Sequence, residues 1–127
     1  MLLKNGLVYD KTEAKLRKKD LRIEGEKISE IDLLLTEKEN EKIYDLSGKY
    51  VLPGIIDSHT HFQLEARGTI SRDDFYYGSV AAAYGGVTTY IDYADQKKNS
   101  IISGLQERKK KAEKKTILDY NLHLVIN

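Results

Sequence analysis

The sequence predicts an α/β protein in which a small β-sheet precedes alternating strands and helices, and three observations support this class. Short, alternating apolar stretches separated by polar turns fill residues 1–54. Beyond them, longer apolar stretches alternate with helix-like ones. Strands joined through helices form parallel sheets with right-handed crossovers. We therefore predict a small β-domain at residues 1–54 and a β/α domain at residues 55–127.

The first domain is predicted to be a sandwich-type sheet of short strands. Leu21 and Ile23 lead into a turn at Gly25, and Ile28 and Ile31 follow it, which is the pattern of a β-hairpin. Further short strands are predicted at residues 2–3, 7–9, 43–44 and 50–52.

The second domain is predicted to contain three strands and two helices. Ser71, with Asp74 three residues later, matches the capping pattern at a helix start. Gly85 and Gly86 end that helix. The predicted strands are residues 55–61, 87–91 and 117–126, and the second helix covers residues 100–115.

Three parallel strands and two helices are too few for a closed barrel. An eight-stranded barrel takes about 250 residues, whereas this chain has 127. A parallel sheet must be covered on both faces or closed on itself. We therefore expect the first β/α units of a truncated (β/α)8, TIM-like barrel.

Composition excludes some classes of site and location. The chain has no cysteine, which rules out disulfides and thiolate metal sites. It has no apolar stretch long enough to cross a bilayer, and its first residues lack a secretory signal. A cytoplasmic protein without membrane contact is therefore expected.

A basic run at residues 108–115 could indicate nucleic-acid binding. However, Leu105 and Ala112 lie two turns apart beside it, as expected for an amphipathic helix. No aromatic side chains interleave with the basic ones to stack on bases. We interpret the run as the exposed face of a helix and expect no nucleic-acid partner.

Two histidines at the end of the first β/α strand carry the strongest chemical signal. Alternate side chains of a strand share a face, so His59 and His61 point the same way, with Asp57 one step earlier. Two imidazoles can hold one divalent cation, with zinc–nitrogen distances of about 2.0–2.1 Å. Barrel enzymes place their active sites at this end of the strands. We predict a metal site at His59 and His61, where Asp57 either orients a ligand histidine or closes the strand.

Three stretches resemble the amidohydrolase superfamily, in particular its dihydropyrimidinase and hydantoinase branch of cyclic amidohydrolases. Residues 51–62, VLPGIIDSHTHF, resemble the first barrel strand of that superfamily. Residues 68–75, GTISRDDF, and residues 81–92, AAAYGGVTTYID, narrow the resemblance to the branch. Residues 4–6 and 45–49 are similar to the small β-domain of that family, so the resemblance covers essentially the whole chain.

The resemblance implies a hydrolase that opens the cyclic amide bond of dihydropyrimidines or hydantoins. A binuclear metal centre, usually of Zn²⁺ although other divalent metals are possible, would supply a metal-bound hydroxide. His59 and His61 would bind its first, more buried ion. The loop at residues 62–70 would shape the substrate pocket. The apolar substrate contacts that the resemblance implies are Phe62, Leu64 and Ile70.

The resemblance also implies that catalytic parts are missing from this chain. The family carries a carboxylated lysine, two further histidines and an aspartate on later strands, so we expect no catalytic residue here and an inactive fragment. His123 matches no family ligand and is interpreted as structural. Gln63 stands where dihydroorotase-like members carry arginine, which favours an uncharged cyclic ureide as substrate; Arg67 is nearby but out of place. Full-length members are commonly homotetramers.

Two other functions remain open. A non-catalytic dihydropyrimidinase-like protein would keep the fold for protein association, but the intact His59 and His61 argue against it. A small module that binds a metal or a partner through an exposed sheet edge is the other possibility.

Overall fold

The computed structural model describes residues 1–66, 68–97 and 100–126. Contacts between residues divide the chain into two units, Met1–Pro53 and Gly54–Asn127. Arg67, in the predicted pocket loop, lies outside the described residues.

The first unit is a five-stranded sheet. Its strands are β1 (Leu2–Asp10), β2 (Lys15–Glu24), β3 (Lys27–Asp32), β4 (Ile43–Asp45) and β5 (Tyr50–Val51). β1 pairs antiparallel with β2 and parallel with β4 and β5, and β2 pairs antiparallel with β3. The predicted hairpin forms at Gly25, whose φ of 59° suits glycine. The described residues of this unit form one sheet, so the second layer of the predicted sandwich is not among them.

Charged side chains are buried in this unit and are paired. The Asp20 carboxylate accepts hydrogen bonds from the backbone N–H groups of Asn5 and Leu35 at 2.8 and 3.0 Å. Arg22, 3% exposed, pairs with Glu41 at 3.0 Å. These contacts supply the partners that buried charges require.

Asp10 makes the stability of the first unit depend on pH. The Lys19 ammonium, 2.6 Å from its carboxylate, and the N–H of Thr12 lower the pKa of Asp10 to about 2. Because the unfolded pKa is about 3.9, this stabilisation is complete above about pH 4 and is lost as the pH falls through the folded pKa. We expect Asp10→Asn to lower the melting temperature at neutral pH and to lose this effect near pH 2. Thermal melts by circular dichroism would measure it, with Glu26→Gln as the control; an equal shift at both pH values would contradict it.

The second unit follows the predicted order of strand, helix, strand, helix, strand. Its elements are β6 (Ile55–Asp57), β7 (Glu65–Ala66), β8 (Thr69–Ile70), α1 (Phe75–Tyr84), β9 (Val87–Asp95), α2 (Ile101–Ala112) and β10 (Asp119–Val125). β9 lies between β6 and β10, and both pairings are parallel. The predicted α/β class is therefore confirmed, whereas a closed barrel stays a prediction. Within the described part of the chain, neither helix has the length and apolar character that a bilayer span requires.

Two predictions for the segment before α1 are wrong. The loop at residues 62–70 contains the β7–β8 hairpin. Helix α1 starts later than predicted, because Asp74 and not Ser71 caps it: the Asp74 carboxylate accepts hydrogen bonds from the N–H groups of Tyr76 and Tyr77, both at 3.0 Å. The Ser71 hydroxyl instead accepts the N–H of Leu64 at 2.8 Å, across the loop.

The core of the second unit lies between the helices and β9. Phe75, Tyr90 and Ala112 are fully buried there, and Phe62 packs against them. The ring centroid of Phe62 is 4.9 Å from that of Tyr90 and 6.1 Å from that of Phe75. Gly78 on α1 faces the Phe62 ring so closely that a Cβ atom there would overlap it. Phe62 therefore anchors the loop to the core.

Candidate metal centre

The site begins where β6 ends. β6 stops at Asp57, so the predicted strand to residue 61 is too long, and His59 and His61 lie in the connection that follows it. The Asp57 carboxylate accepts the backbone N–H of His59 at 3.1 Å, the local turn that aspartate favours. The N–H of Thr60 bonds the carbonyl of Ile91 at 3.0 Å and holds the connection against β9. Whether Asp57 also orients a ligand histidine stays a prediction.

His59 and His61 nevertheless converge as the sequence predicts. Their Nε2 atoms are 3.1 Å apart, and their rings meet edge to face with centroids 5.0 Å apart. If an ion lay about 2.05 Å from both nitrogens, the angle between its two bonds to nitrogen would be about 98°, which suits a four- or five-coordinate zinc. The two rings are exposed. This pair of nitrogens therefore fits two positions of a divalent metal.

The pair is an incomplete site. A catalytic zinc usually has three protein ligands. Among residues 1–66, 68–97 and 100–126, no group of three or more His, Cys, Asp or Glu side chains is placed to hold an ion. His59 and His61 are therefore the part of a metal site that the described chain offers.

Tyr93, which the sequence analysis did not single out, contacts both histidines. Its Oη is 3.0 Å from Nδ1 of His59. Its ring stacks on His61, with centroids 5.0 Å apart and planes 26° apart. On its other side, His123 is its register partner on β10, with centroids 5.2 Å apart. The signal for Tyr93 was its position near the carboxyl end of β9, beside the strand that precedes the histidines. The interpretation of His123 as structural stays a prediction.

Asp92 and Arg108 fasten the segment that follows His61. Asp92 is fully buried and accepts the N–H of Phe62 at 2.8 Å. Arg108 Nη2 lies 2.6 Å from the Asp92 carboxylate. The same guanidinium donates hydrogen bonds to the carbonyls of Phe62 and, at 3.2 Å, Gln63. The Asp92–Arg108 pair therefore binds one backbone N–H and two backbone carbonyls in the segment directly after His61.

The interpretation of the basic run as an exposed face is wrong for Arg108. Its side chain is 11% exposed, whereas Lys109 and Lys110 are exposed. The reason is helical phase: Arg108 lies four residues after Gly104 and four before Ala112, both buried. The side chain of Arg108 therefore lies on the buried face of α2, with Gly104 and Ala112.

The predicted substrate contacts lie in three different environments. Phe62 packs in the core, Leu64 is half-buried, and Ile70 on β8 is 56% exposed. Gln63 has a positive φ of 49°, and its buried Oε1 finds no hydrogen-bond partner among the described residues. The packing of Phe62 is observed, whereas substrate contact by Phe62, Leu64 or Ile70 stays a prediction.

Comparison with known proteins places this geometry in a family. Residues 50–126, which include both histidines, match the Amidohydrolase family. This chain belongs to the amidohydrolase family. The dihydropyrimidinase of Dictyostelium discoideum is 40% identical over 99% of this chain and 25% of its own length. The D-hydantoinase of Geobacillus stearothermophilus is 39% identical over 99% of this chain and 26% of its own length.

Solved structures of proteins with the same names superpose on this chain. A dihydropyrimidinase from Brevibacillus agri superposes with a TM-score of 0.89 and 34% identity, over 98% of this chain and 27% of its own. A D-hydantoinase superposes with a TM-score of 0.90 and 35% identity, over 99% of this chain and 27% of its own. The resemblance predicted from sequence is confirmed. This amidohydrolase chain spans about a quarter of the length of the relatives it matches.

Proposed function

We propose that this chain forms the amino-terminal part of a metal-dependent hydrolase that opens the cyclic amide bond of dihydropyrimidines or hydantoins. The observation that carries the proposal is the convergence of the His59 and His61 Nε2 atoms, 3.1 Å apart, in a chain whose relatives are named dihydropyrimidinase and D-hydantoinase. Their exposed rings leave room for a substrate and for further ligands.

In this proposal His59 and His61 bind a divalent ion, with zinc as the first candidate, through their Nε2 lone pairs. When bound, the ion would lower the pKa of water and polarise the substrate carbonyl. Asp57 and Thr60 shape the backbone that presents the two rings, through the bonds at 3.1 and 3.0 Å described above. The buried Asp92 fixes the segment on the far side of His61 through the N–H of Phe62.

We further propose that these 127 residues are inactive by themselves. The two histidines leave a catalytic zinc short of its usual three protein ligands. A base or acid for proton transfer must also reach the scissile amide, and the resemblance places that aspartate on a later strand. The complete protein is proposed to be a homo-oligomer, a tetramer by the same resemblance, which light scattering after size exclusion would test.

The test compares the 127-residue chain with the product of its complete reading frame. Both would be loaded with zinc and assayed for ring opening of dihydrouracil and hydantoin. We expect turnover from the complete product only. We expect His59→Asn or His61→Asn to reduce it by more than about 100-fold, because even outer-shell partners of a metal typically contribute 10–100-fold. Lys110→Met, on the exposed side of α2, serves as the control.

Two results would contradict the proposal. Metal-dependent turnover by a preparation of the 127-residue chain free of longer chains would show that the fragment is active. A complete product that binds zinc at neither histidine and opens neither ring would instead favour the non-catalytic relative.

A further inference from the structure

We infer that Tyr93 is a positioning residue that fixes the proton of His59 on Nδ1 and so directs the Nε2 lone pair toward the metal position. This inference rests on the proposed function. It assigns a role to a residue on β9, whereas the histidines lie in the connection after β6. Its basis is the 3.0 Å contact between the Tyr93 hydroxyl and His59 Nδ1.

The chemistry of a neutral imidazole makes this contact matter. One ring nitrogen carries the proton and the other carries the lone pair. Ligation through Nε2 therefore requires the proton on Nδ1, where the Tyr93 oxygen accepts it. Ligand histidines almost always donate this second N–H to a fixed partner. The Asp57 carboxylate, the nearby anionic candidate, instead accepts the backbone N–H of His59.

The same tyrosine also fixes the second ring. Its aromatic face stacks on His61, with an interplanar angle of 26°, while it meets His59 at 51° and a centroid distance of 4.7 Å. One side chain therefore restricts the rotation of both imidazoles. This explains how an irregular connection, not a strand, presents two Nε2 atoms 3.1 Å apart.

Tyr93 is itself held in place from three directions. It lies on β9, the central strand of the sheet, and pairs in register with His123 on β10. Its backbone N–H bonds the carboxylate of the fully buried Asp92 at 2.6 Å. The His123 ring lies beside the Tyr93 ring, with centroids 5.2 Å apart and planes 46° apart. A rigid strand position of this kind is what a precise site needs in its supporting residues.

The test is Tyr93→Phe in the 127-residue chain, which removes the hydroxyl and keeps the ring. Two-bond ¹⁵N–¹H correlation spectra of the metal-free protein report which nitrogen of His59 holds the proton. Competition with a chromophoric chelator reports the zinc affinity. We expect the Nδ1-protonated form of His59 to lose population and the zinc affinity to fall about 10–100-fold. Tyr77→Phe, on the exposed side of α1, removes the same group as a control.

The outcomes separate this inference from the proposed function. Unchanged His59 tautomer and unchanged zinc affinity in Tyr93→Phe, with zinc still bound by the histidines, would overturn the inference alone. A complete product that binds no zinc would contradict the proposed function, and the tautomer measurement alone would then decide the inference. A loss of thermal stability without a change of tautomer would show that the hydroxyl is only structural.

Discussion

Replacing Arg108 with methionine will destabilise the second unit by about 3–5 kcal/mol, the usual effect of removing one partner from a buried ion pair. The variant leaves the fully buried Asp92 carboxylate without its cation. It also removes the donors that the carbonyls of Phe62 and Gln63 use. Methionine fills a similar volume, so the loss measures charge and hydrogen bonding and not an empty cavity. Urea unfolding monitored by circular dichroism gives the free energy of unfolding.

Lys110→Met is the matched control, because Lys110 is exposed on the same helix. Its effect should stay within about 0.5 kcal/mol. Arg108→Lys keeps the charge but loses the planar fork, so an intermediate loss is expected. This variant keeps the comparison measurable if the methionine variant does not fold. Equal stabilities of Arg108→Met and Lys110→Met would contradict the role assigned to the pair.

Gly104→Ala will also destabilise the second unit, by roughly 1–3 kcal/mol, as overpacking does. A Cβ atom at this position would overlap the carbonyl oxygen of Asp95, would lie 2.9 Å from its carbonyl carbon and would lie 3.3 Å from the N of Lys97. These are backbone atoms, so α2 must move away from the end of β9. The expected loss outweighs the gain of about 1 kcal/mol that alanine brings to a helix interior.

The displacement should also reach the metal site, because Gly104 lies one turn before Arg108. Gln106→Ala places alanine on the exposed side of the same helix and should leave stability nearly unchanged. Urea unfolding curves of the two variants and the wild type give the free energies of unfolding to be compared. A Gly104→Ala protein as stable as the wild type would show that α2 does not need this close approach.

Local signals explain why much of the second unit could be predicted from sequence. Gly85 and Gly86 end α1 as predicted, and Gly86 has the positive φ of 85° that suits glycine. Helix α2 begins within one residue of the predicted start, and Ser100 caps it, because its hydroxyl accepts the N–H of Ser103 at 3.3 Å. These features depend on a few neighbouring residues, so the sequence carries them directly.

Features that depend on distant residues were missed. By sequence, Ser71 and Asp74 could both cap α1. The loop decides between them, because the Ser71 hydroxyl accepts the backbone N–H of Leu64. Arg108 differs from its lysine neighbours only because α2 turns it toward a carboxylate sixteen residues earlier. Pattern alone cannot decide which of several charged residues finds a buried partner.

For His59 and His61, one part of the prediction is correct and another part is wrong. The H-x-H spacing predicted two converging imidazoles, and they do converge. The predicted cause, alternation along a strand, is wrong because Asp57 ends β6 two residues before His59. Convergence instead comes from the turn at Asp57 and from the Tyr93 ring on the next strand.

Zinc binding at His59 and His61 is the measurement that most directly tests this interpretation. X-ray absorption on the zinc-loaded chain should show imidazole nitrogens at about 2.0–2.1 Å. Chelator competition should show that the double variant His59→Asn/His61→Asn loses this binding while Lys110→Met, on the exposed side of α2, keeps it. Unchanged zinc affinity in the double variant, or an equal loss of binding in Lys110→Met, would contradict the assignment of the metal centre.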